Sequence, residues 1–408
     1  MGCIVIVGAG ECGARAAFGL REKGYDGKIT LIGAEPHPPY ERPPLSKDGI
    51  KQEAPPKYIA DIERYAAAGI DLLTDAPVRA IKRSARRVEL VDGSSIPYNR
   101  LLLTTGARAR ALPGTEHLSS RVRTLRTHAD AAAIRCELVP GRKLAVIGGG
   151  FIGLELAATA RGLGAEVVLI EGLGRILSRG VPEDIAVVVA DRHQAEGVEL
   201  RCDAKIERID ADDGRARVVL AGGETIEADL VVVGIGAVPN TELAAAAGLS
   251  IENGIAVDAT LRTSDPDIYA AGDCCSYPLC HYGGRRVRLE AWRNAQDQGT
   301  LVAGNLLGAN EAITSVPWFW SDQYDLTLQI AGLADGAATT VRRNLGGGAF
   351  ILFHLDDTGR LLAASGIGPG NAVARDIRLA EMLIAAGKRP DHQALASPET
   401  KLKALLAA

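Results

Sequence analysis

The stretch CIVIVGAGECG (residues 3–13) decides the fold of the N-terminal part of the chain. Its apolar run ends in a Gly8-x-Gly10-x-x-Gly13 turn, and a segment with a helical period of apolar residues follows. In such a turn the first glycine bends the chain, the second lets the backbone approach a pyrophosphate, and the third lets helix pack on strand. The helix N-terminus then faces the anion. The stretch therefore predicts a strand–turn–helix unit that binds a dinucleotide.

The same unit occurs twice. In the first copy a second apolar run, residues 29–32, ends near Glu35, whose carboxylate can accept hydrogen bonds from a ribose. The second copy lies in KLAVIGGGFIGLELAATARGLGAEVVLIEG (residues 143–172), where Glu171 directly follows the apolar run. Its turn glycines are Gly148, Gly150 and Gly153. Two such sites in one chain imply two dinucleotides, and a flavin with a nicotinamide is the economical pair because a hydride can pass between them.

The second acid also bears on which nicotinamide cofactor binds. A carboxylate at Glu171 favours a free ribose 2′-hydroxyl and repels a 2′-phosphate, which indicates NADH rather than NADPH. Arg175 and Arg179 lie close by in sequence and would suit a phosphate, so the strength of the preference stays open.

The remaining patterns complete the domain organisation. Short glycine-closed apolar runs follow hairpin-like stretches in both halves, and alternating runs with a final helix follow residue 316. We predict an α/β protein with two Rossmann-like dinucleotide-binding domains plus an α+β C-terminal domain. The expected boundaries are 1–110 and 241–318 for the two parts of an FAD-binding domain, 111–240 for an NADH-binding domain, and 319–408 for the C-terminal domain.

Composition excludes several classes of protein. The 408 residues carry a net charge of −4, which does not suit a nucleic-acid binder, and no apolar run is long enough to span a membrane. Seven irregularly spaced cysteines argue against a disulfide framework and for a reducing, cytoplasmic location. The cluster Cys274, Cys275 and Cys280 lacks the C-x-x-C pairs of structural zinc, so we expect no metal site, and a role for these thiols stays open. The oligomeric state does not follow from the sequence.

A further motif, TSDPDIYAAGD (residues 263–273), places a carboxylate after a short strand. Asp273 could accept a hydrogen bond from a sugar-alcohol hydroxyl, with Gly272 leaving room for its approach. The alternative is that Asp273 caps a following helix.

Taken together, these motifs resemble the two-dinucleotide flavoproteins of the glutathione reductase-like superfamily. Within it, YERPPLSK (40–47), WRNAQDQG (292–299) and WFWSDQYDLTLQIAGL (318–333) are similar to the FAD-dependent, NADH-oxidising ferredoxin reductases. That family includes biphenyl dioxygenase reductase components and putidaredoxin reductase. The resemblance implies an enzyme that takes hydride from NADH and passes single electrons to a [2Fe–2S] ferredoxin. The ferredoxin would feed a P450 or a Rieske-type oxygenase, and neither the ferredoxin nor the oxygenase type follows from the sequence.

The resemblance also implies site residues. The FAD contacts would be Gly8, Gly10, Gly13, Glu35, Arg42, Lys47, Val78, Thr105, Gly106, Arg126, Gly272, Asp273 and Trp292. The NADH contacts would be Gly148, Gly150, Ile152, Gly153, Glu155, Glu171, Gly236 and Trp320. Lys47 and Glu155 would be the catalytic residues, forming a buried ion pair beside the reacting ring.

Simpler interpretations of these residues remain. Lys47 could be a solvated surface lysine, Glu155 could only compensate a helix dipole, and the tryptophans could be core residues. A basic rim of Arg285, Arg286, Arg288 and Arg293 could steer an acidic ferredoxin, or form a solvated loop.

Two other functions are also open. The chain could be an NADH oxidase or a disulfide reductase, although residues 36–52 contain no cysteine for a thiol relay. It could also be an NADH-sensing flavoprotein without a ferredoxin partner.

Overall fold

The computed structural model describes residues 2–118, 120–212 and 214–407. The chain forms two compact units, each assembled from three separate segments. The first unit comprises Met1–Glu41, Pro56–Arg108 and Val238–Pro317, and the second comprises Arg42–Pro55, Ala109–Ala237 and Trp318–Ala408. Two short strands, Ala107–Ala109 and Ala237–Pro239, lie where the chain passes between these segments.

The first unit is built on a parallel sheet of five strands with Cys3–Val7 at its centre. Ile4, Val5, Ile6 and Val7 are buried, as expected for a central strand covered on both faces. In spatial order the strands are Ile268–Ala270, Arg100–Leu103, Cys3–Val7, Lys28–Ile32 and Ile70–Leu73.

Two small sheets and several helices complete this unit. One antiparallel sheet contains Val78–Lys82, Arg87–Leu90 and Ser95–Pro97, and a second sheet contains Ile255–Ala256, Cys275–Leu279 and Arg285–Val287. The helices are Glu11–Glu22, Ile62–Ala67, Glu242–Ala246 and Trp292–Leu306, with a 3-10 turn at Cys280–Tyr282.

The second unit repeats the arrangement around its own five-stranded parallel sheet, with Lys143–Ile147 at the centre. The strand order is Val198–Arg201, Glu166–Ile170, Lys143–Ile147, Leu230–Val233 and Val122–Thr124. An antiparallel sheet of Ile206–Ala211, Ala216–Leu220 and Thr225–Ala228 packs into the same apolar core. The helices are Asp48–Lys51, His128–Glu137, Phe151–Gly162 and Glu183–Ala195, with 3-10 turns at Pro43–Ser46 and Glu116–Leu118.

The C-terminal part of the second unit is an antiparallel sheet followed by helices. Its strands, in spatial order, are Trp318–Gln323, Leu326–Gly332, Leu361–Pro369, Ala349–Leu355 and Thr339–Gly346. The helices are Ala374–Ala385, His392–Ala396 and Ala404–Ala407.

The predicted fold class is confirmed: two parallel-sheet, Rossmann-like domains accompany an antiparallel α+β domain. The assignment of a cofactor to each residue range stays a prediction. Within the described residues, no helix is long and apolar enough to cross a membrane.

Candidate functional site

The three glycines of the first turn differ in the space around them. Gly8 has φ +115°, and a Cβ there would lie 2.1 Å from the Thr104 carbonyl oxygen. A Cβ on Gly13 would lie 2.1 Å from the Gly8 oxygen, so both positions are fixed by the packing of the chain itself. A Cβ on Gly10 would meet nothing within 4 Å. The open space at Gly10 fits a ligand that approaches the backbone there.

The helix behind this turn is suited to an anion. Glu11–Glu22 begins directly after Gly10, and no side chain caps its N-terminus. Its first backbone N–H groups are therefore available to a pyrophosphate, and the positive end of the helix dipole favours the negative charge. The residues present fit a dinucleotide.

The second unit reproduces this geometry. Gly148 has φ +107°, and a Cβ there would lie 2.4 Å from the Gly234 oxygen; a Cβ on Gly153 would lie 2.2 Å from the Gly148 oxygen. Gly150 again has open space, and Phe151–Gly162 also begins without a side-chain cap. The second turn therefore fits a second dinucleotide.

The acid of the second turn is held rigidly. Glu171 Oε2 accepts from the Gly149 N–H at 2.6 Å, and Oε1 accepts from the Leu173 N–H at 2.9 Å. The neighbouring Arg175 guanidinium donates to the carbonyls of Ile176 and Val181 at 3.2 and 3.0 Å. These contacts hold a negative charge beside the turn and engage the nearer of the two arginines.

Other predicted contacts of the first unit are ordered by its own side chains. Glu35 Oε2 accepts from the Tyr40 hydroxyl at 2.6 Å, and the indole N–H of Trp292 donates to Glu11 Oε2 at 3.2 Å. Burial raises the pKa of Glu11, which begins the helix behind the glycine turn. Trp292 is thus tied to that helix.

The segment around Asp273 tests one of its two interpretations. The strand Cys275–Leu279 follows Asp273, so the alternative that Asp273 caps a helix is wrong. The Gly272 N–H donates to Gln298 Oε1 at 2.6 Å. Val78 begins a strand, and the Thr105 hydroxyl, next to Gly106, donates to the Asn240 carbonyl at 2.6 Å. These contacts fix the backbone positions that the resemblance assigns to FAD.

The second unit contains the Lys47–Glu155 pair. Lys47 Nζ lies 2.8 Å from Glu155 Oε2, and the side chains are 23% and 9% exposed. Ser46 donates to the same carboxylate oxygen at 2.6 Å, and Thr159 donates to the Ser46 carbonyl at 2.8 Å. Lys47 is therefore not a solvated surface lysine. Arg42, in the same segment, donates to the Arg126 carbonyl at 2.6 Å.

The position of Glu155 in its helix also speaks against simple dipole compensation. The helix begins at Phe151, so Glu155 is its fifth residue and lies in the second turn. The dipole effect falls off within the first turn. The carboxylate is held by its partners rather than by the helix terminus.

The strand Trp318–Gln323 brings residues to this carboxylate that the sequence did not indicate. Side chains alternate along a strand, so Phe319, Ser321 and Gln323 share one face. Phe319 packs edge-on against Phe151 with ring centroids 4.9 Å apart, and Ser321 donates to Glu155 Oε1 at 2.7 Å. Gln323 Oε1 lies 2.8 Å from His193 Nε2.

The alternate face of this strand carries the tryptophans. Trp318 and Trp320 stack with centroids 5.4 Å apart, both half-buried, and the Trp320 indole N–H donates to Asp322 at 3.0 Å. In the helix Phe151–Gly162, Ile152 is 45% exposed, and its contact with NADH stays a prediction. Gly236 has φ +105°. The ring contacts of Trp320 stay a prediction.

The basic rim is partly neutralised by neighbouring acids. Arg286 Nε lies 3.1 Å from Glu252, Arg288 pairs with Glu290, and Arg293 pairs with Asp297 at 3.1 Å. Arg285 is exposed at the start of its strand. The positive charge of this rim is therefore smaller than the sequence suggests.

The cysteines form no disulfide in the described residues. All seven are free, and Cys12, Cys274 and Cys275 are buried. Burial raises the pKa of each of these three thiols, which disfavours the reactive thiolate. No group of three or more metal-ligating side chains occurs in the parts of the chain that the structure describes.

Two protein-family models match different parts of this chain. Residues 3–299 match the family model of the pyridine nucleotide-disulphide oxidoreductases, and residues 318–406 match the reductase C-terminal domain. The chain is 44% identical to the ferredoxin–NAD(+) reductase component of the anthranilate 1,2-dioxygenase system of Burkholderia cepacia, over 98% of both chains. This chain is a member of the ferredoxin–NAD(+) reductase family.

Two further members show the breadth of the likeness. Rhodocoxin reductase of Rhodococcus erythropolis is 42% identical over 93% of this chain and 90% of its own. The solved covalent complex of putidaredoxin reductase with putidaredoxin contains a chain that superimposes with a TM-score of 0.93 and 35% identity, covering 100% of this chain and 98% of that one. This family member has Lys47 and no cysteine in residues 36–52.

Proposed function

We propose that this chain is an FAD-containing ferredoxin reductase that oxidises NADH and passes single electrons to a [2Fe–2S] ferredoxin. The ferredoxin would serve a P450 or Rieske-type oxygenase. The observation that carries the proposal is the Lys47–Glu155 ion pair in the second unit. Lys47 lies in residues 36–52, which contain no cysteine that could act as a thiol relay. Without a thiol relay, electrons leave the flavin directly, which suits a one-electron acceptor.

Each unit would hold the pyrophosphate of one cofactor. The turn at Gly8, Gly10 and Gly13 would hold the FAD pyrophosphate, and the turn at Gly148, Gly150 and Gly153 would hold that of NADH. When bound, the nicotinamide supplies a hydride and the flavin supplies an acceptor able to release electrons singly. The fit of both turns supports this assignment.

The residues of the second unit would bind and orient NADH. The fixed carboxylate of Glu171 favours a free 2′-hydroxyl over a phosphate, and Arg175, engaged by two carbonyls, is withheld from a 2′-phosphate. Glu155 would hold the Lys47 ammonium in one place, so that its positive charge stabilises negative charge developing on the acceptor ring. No residue needs to move a proton in this scheme.

The acceptor side and the location are also proposals. An acidic ferredoxin would dock near the exposed Arg285 of the basic rim. Free cysteines throughout the chain support a reducing, cytoplasmic setting.

The deciding experiment is NADH-driven cytochrome c reduction by the FAD-loaded protein, with and without a [2Fe–2S] ferredoxin. A ferredoxin reductase shows reduction that rises and saturates with ferredoxin. Rapid oxygen consumption with no ferredoxin dependence would instead identify an NADH oxidase. Slow turnover with every acceptor would favour an NADH-sensing protein.

A further inference from the structure

A buried chain of polar side chains runs away from Glu155 through the second unit. Ser321 donates to Glu155 Oε1 at 2.7 Å, Gln323 Nε2 lies 3.1 Å from Ser321 Oγ, and Gln323 Oε1 lies 2.8 Å from His193 Nε2. The Tyr324 hydroxyl lies 3.3 Å from His193 Nδ1. Ser321, Gln323 and His193 are 1%, 4% and 0% exposed. We call these four residues, Ser321, Gln323, His193 and Tyr324, the relay.

The carboxylate dictates the direction of every hydrogen bond in the relay. Paired with the Lys47 ammonium, Glu155 only accepts, so the Ser321 hydroxyl must donate to it. Ser321 Oγ then accepts from the Gln323 amide nitrogen, which turns the Gln323 oxygen toward His193. That oxygen requires a proton on His193 Nε2.

His193 accepts a hydrogen bond on one ring nitrogen and donates one from the other. A neutral imidazole with its proton on Nε2 presents Nδ1 as an acceptor, which the Tyr324 hydroxyl satisfies. Burial lowers the pKa of His193, in keeping with a neutral ring. All four donors therefore point the same way, toward the carboxylate, and successive hydrogen bonds of this kind polarise one another.

The turn that carries Tyr324 is built at a conformational cost. Tyr324 and Asp325 form the two-residue link between strands Trp318–Gln323 and Leu326–Gly332, and Tyr324 has φ +56°. Glycine, asparagine or aspartate is the ordinary choice for such a turn. The tyrosine ring instead packs edge-on against His193 at 5.0 Å, and Arg192 lies 4.9 Å from the centre of the same ring. A strained non-glycine residue of this kind is typical of a functional constraint.

We propose that His193, Gln323 and Ser321 are positioning residues that lock the Glu155 carboxylate in one orientation and, through it, the ammonium of Lys47. This inference rests on the proposed function, because the positioned ammonium is the one assigned to NADH oxidation. The relay holds one carboxylate oxygen, while Ser46 and Lys47 hold the other. With either side released, the carboxylate can rotate and the ammonium loses its fixed position.

The test compares matched variants in two backgrounds. His193→Leu removes the donor, whereas His193→Gln restores an amide N–H near the Nε2 position. We expect His193→Leu to slow NADH-driven flavin reduction about tenfold, with the dissociation constant of NADH changed less than twofold, and His193→Gln to recover most of the rate. In a Glu155→Gln background the His193→Leu change should cause no further loss. Equal losses in both backgrounds, or no loss in either, would overturn the proposal.

A second measurement needs no variant. Nitrogen-15 NMR of the histidine-labelled holoenzyme should show His193 neutral, with its proton on Nε2. A proton on Nδ1 reverses the relay and contradicts the inference. If the wild-type protein does not oxidise NADH at all, the proposed function fails, and the tautomer still decides whether the relay is oriented as described.

Discussion

Lys47 Nζ and Glu155 Oε2 lie 2.8 Å apart, although the two residues come from a proline-rich loop and from the helix behind the second glycine turn. Removing one partner leaves a largely buried charge without compensation, which is more costly than the loss of an exposed pair. We expect Lys47→Met to lower the free energy of unfolding by about 3 kcal/mol and to slow flavin reduction by NADH.

Lys51→Met is the matched control, because Lys51 forms an exposed pair with Asp48 at 3.4 Å in the adjacent helix. Its loss should cost about 0.5 kcal/mol or less. Thermal unfolding of the two holoenzymes and stopped-flow reduction by NADH provide the comparison. Equal melting temperatures and rates would show that the Lys47–Glu155 pair contributes neither to stability nor to flavin reduction.

Gly150→Ala separates folding from cofactor binding. A Cβ at Gly150 meets no atom of the protein within 4 Å, so the variant should fold and retain FAD. The added methyl group would meet the pyrophosphate of NADH, and the Kd for NADH should rise at least about tenfold, equivalent to about 1.4 kcal/mol. Gly162→Ala, also in open space but at the end of the same helix, should leave the Kd unchanged. Tight NADH binding by Gly150→Ala would place the cofactor elsewhere.

The cofactor preference can be tested at Glu171. Glu171→Gln keeps the size of the side chain but removes the charge that opposes a 2′-phosphate. The ratio of kcat/KM for NADH over that for NADPH should fall about tenfold, or about 1.4 kcal/mol. Glu166→Gln, at the exposed start of the same strand, should leave the ratio unchanged. An unaltered ratio in Glu171→Gln would show that another group selects the cofactor.

The acceptor surface is tested by Arg285→Glu. If an acidic ferredoxin docks near this rim, charge reversal should raise the KM for ferredoxin several-fold and change its salt dependence. The KM for NADH should stay the same. Arg208→Glu is a control, because Arg208 is exposed on a strand of the second unit. A parallel rise in both KM values would show a general defect instead of lost docking.

Acid sensitivity is expected from His354 in the C-terminal sheet. Burial lowers the pKa of His354 from 6.5 to about 4. Between these two pH values the unfolded chain binds a proton that the folded chain does not. The free energy of unfolding therefore has its full value above about pH 6.5 and falls as the pH is lowered. The loss by about pH 4 amounts to about 3 kcal/mol.

Melting temperatures of the holoenzyme between pH 7.5 and 5 will check this slope. His354→Gln, which can still meet Ser365 and Thr340, should flatten the profile. His392→Gln, at an exposed position, should not. Identical slopes in all three proteins would assign the acid lability to other groups.

The sequence predicted the elements whose signals are local. Glycines at fixed spacing, strands of unbroken apolar residues and acids after the second strand each report their own segment, and the parallel sheets follow from them. The roles of Gly8 and Gly148 were predictable because each stands where the tight turn requires a backbone conformation that favours glycine.

The relay was not predictable in this way. Ser321 is 166 residues from Glu155, and Gln323 is 130 residues from His193, so their meeting depends on how an antiparallel sheet packs on two helices. Ser321 and Gln323 belong to the polar run SDQYD (residues 321–325), and His193 belongs to DRHQ (residues 191–194); such runs are equally typical of solvated positions. The one local signal was the alternation in WFWSDQ (residues 318–323), which shows that serine and glutamine share a face.

The alternation of that strand has a consequence for how such reductases can be recombined. On the inner face of this strand, Phe319 contacts Phe151, Ser321 contacts Glu155 and Gln323 contacts His193. A shift of the strand register by a single residue would point the tryptophans at the Glu155 carboxylate. A chimera that joins residues 318–406 of one family member to the remainder of another would keep these contacts only where the residues at both sets of positions match. The C-terminal module and the helices Phe151–Gly162 and Glu183–Ala195 should therefore be exchanged together, although they lie far apart in the chain.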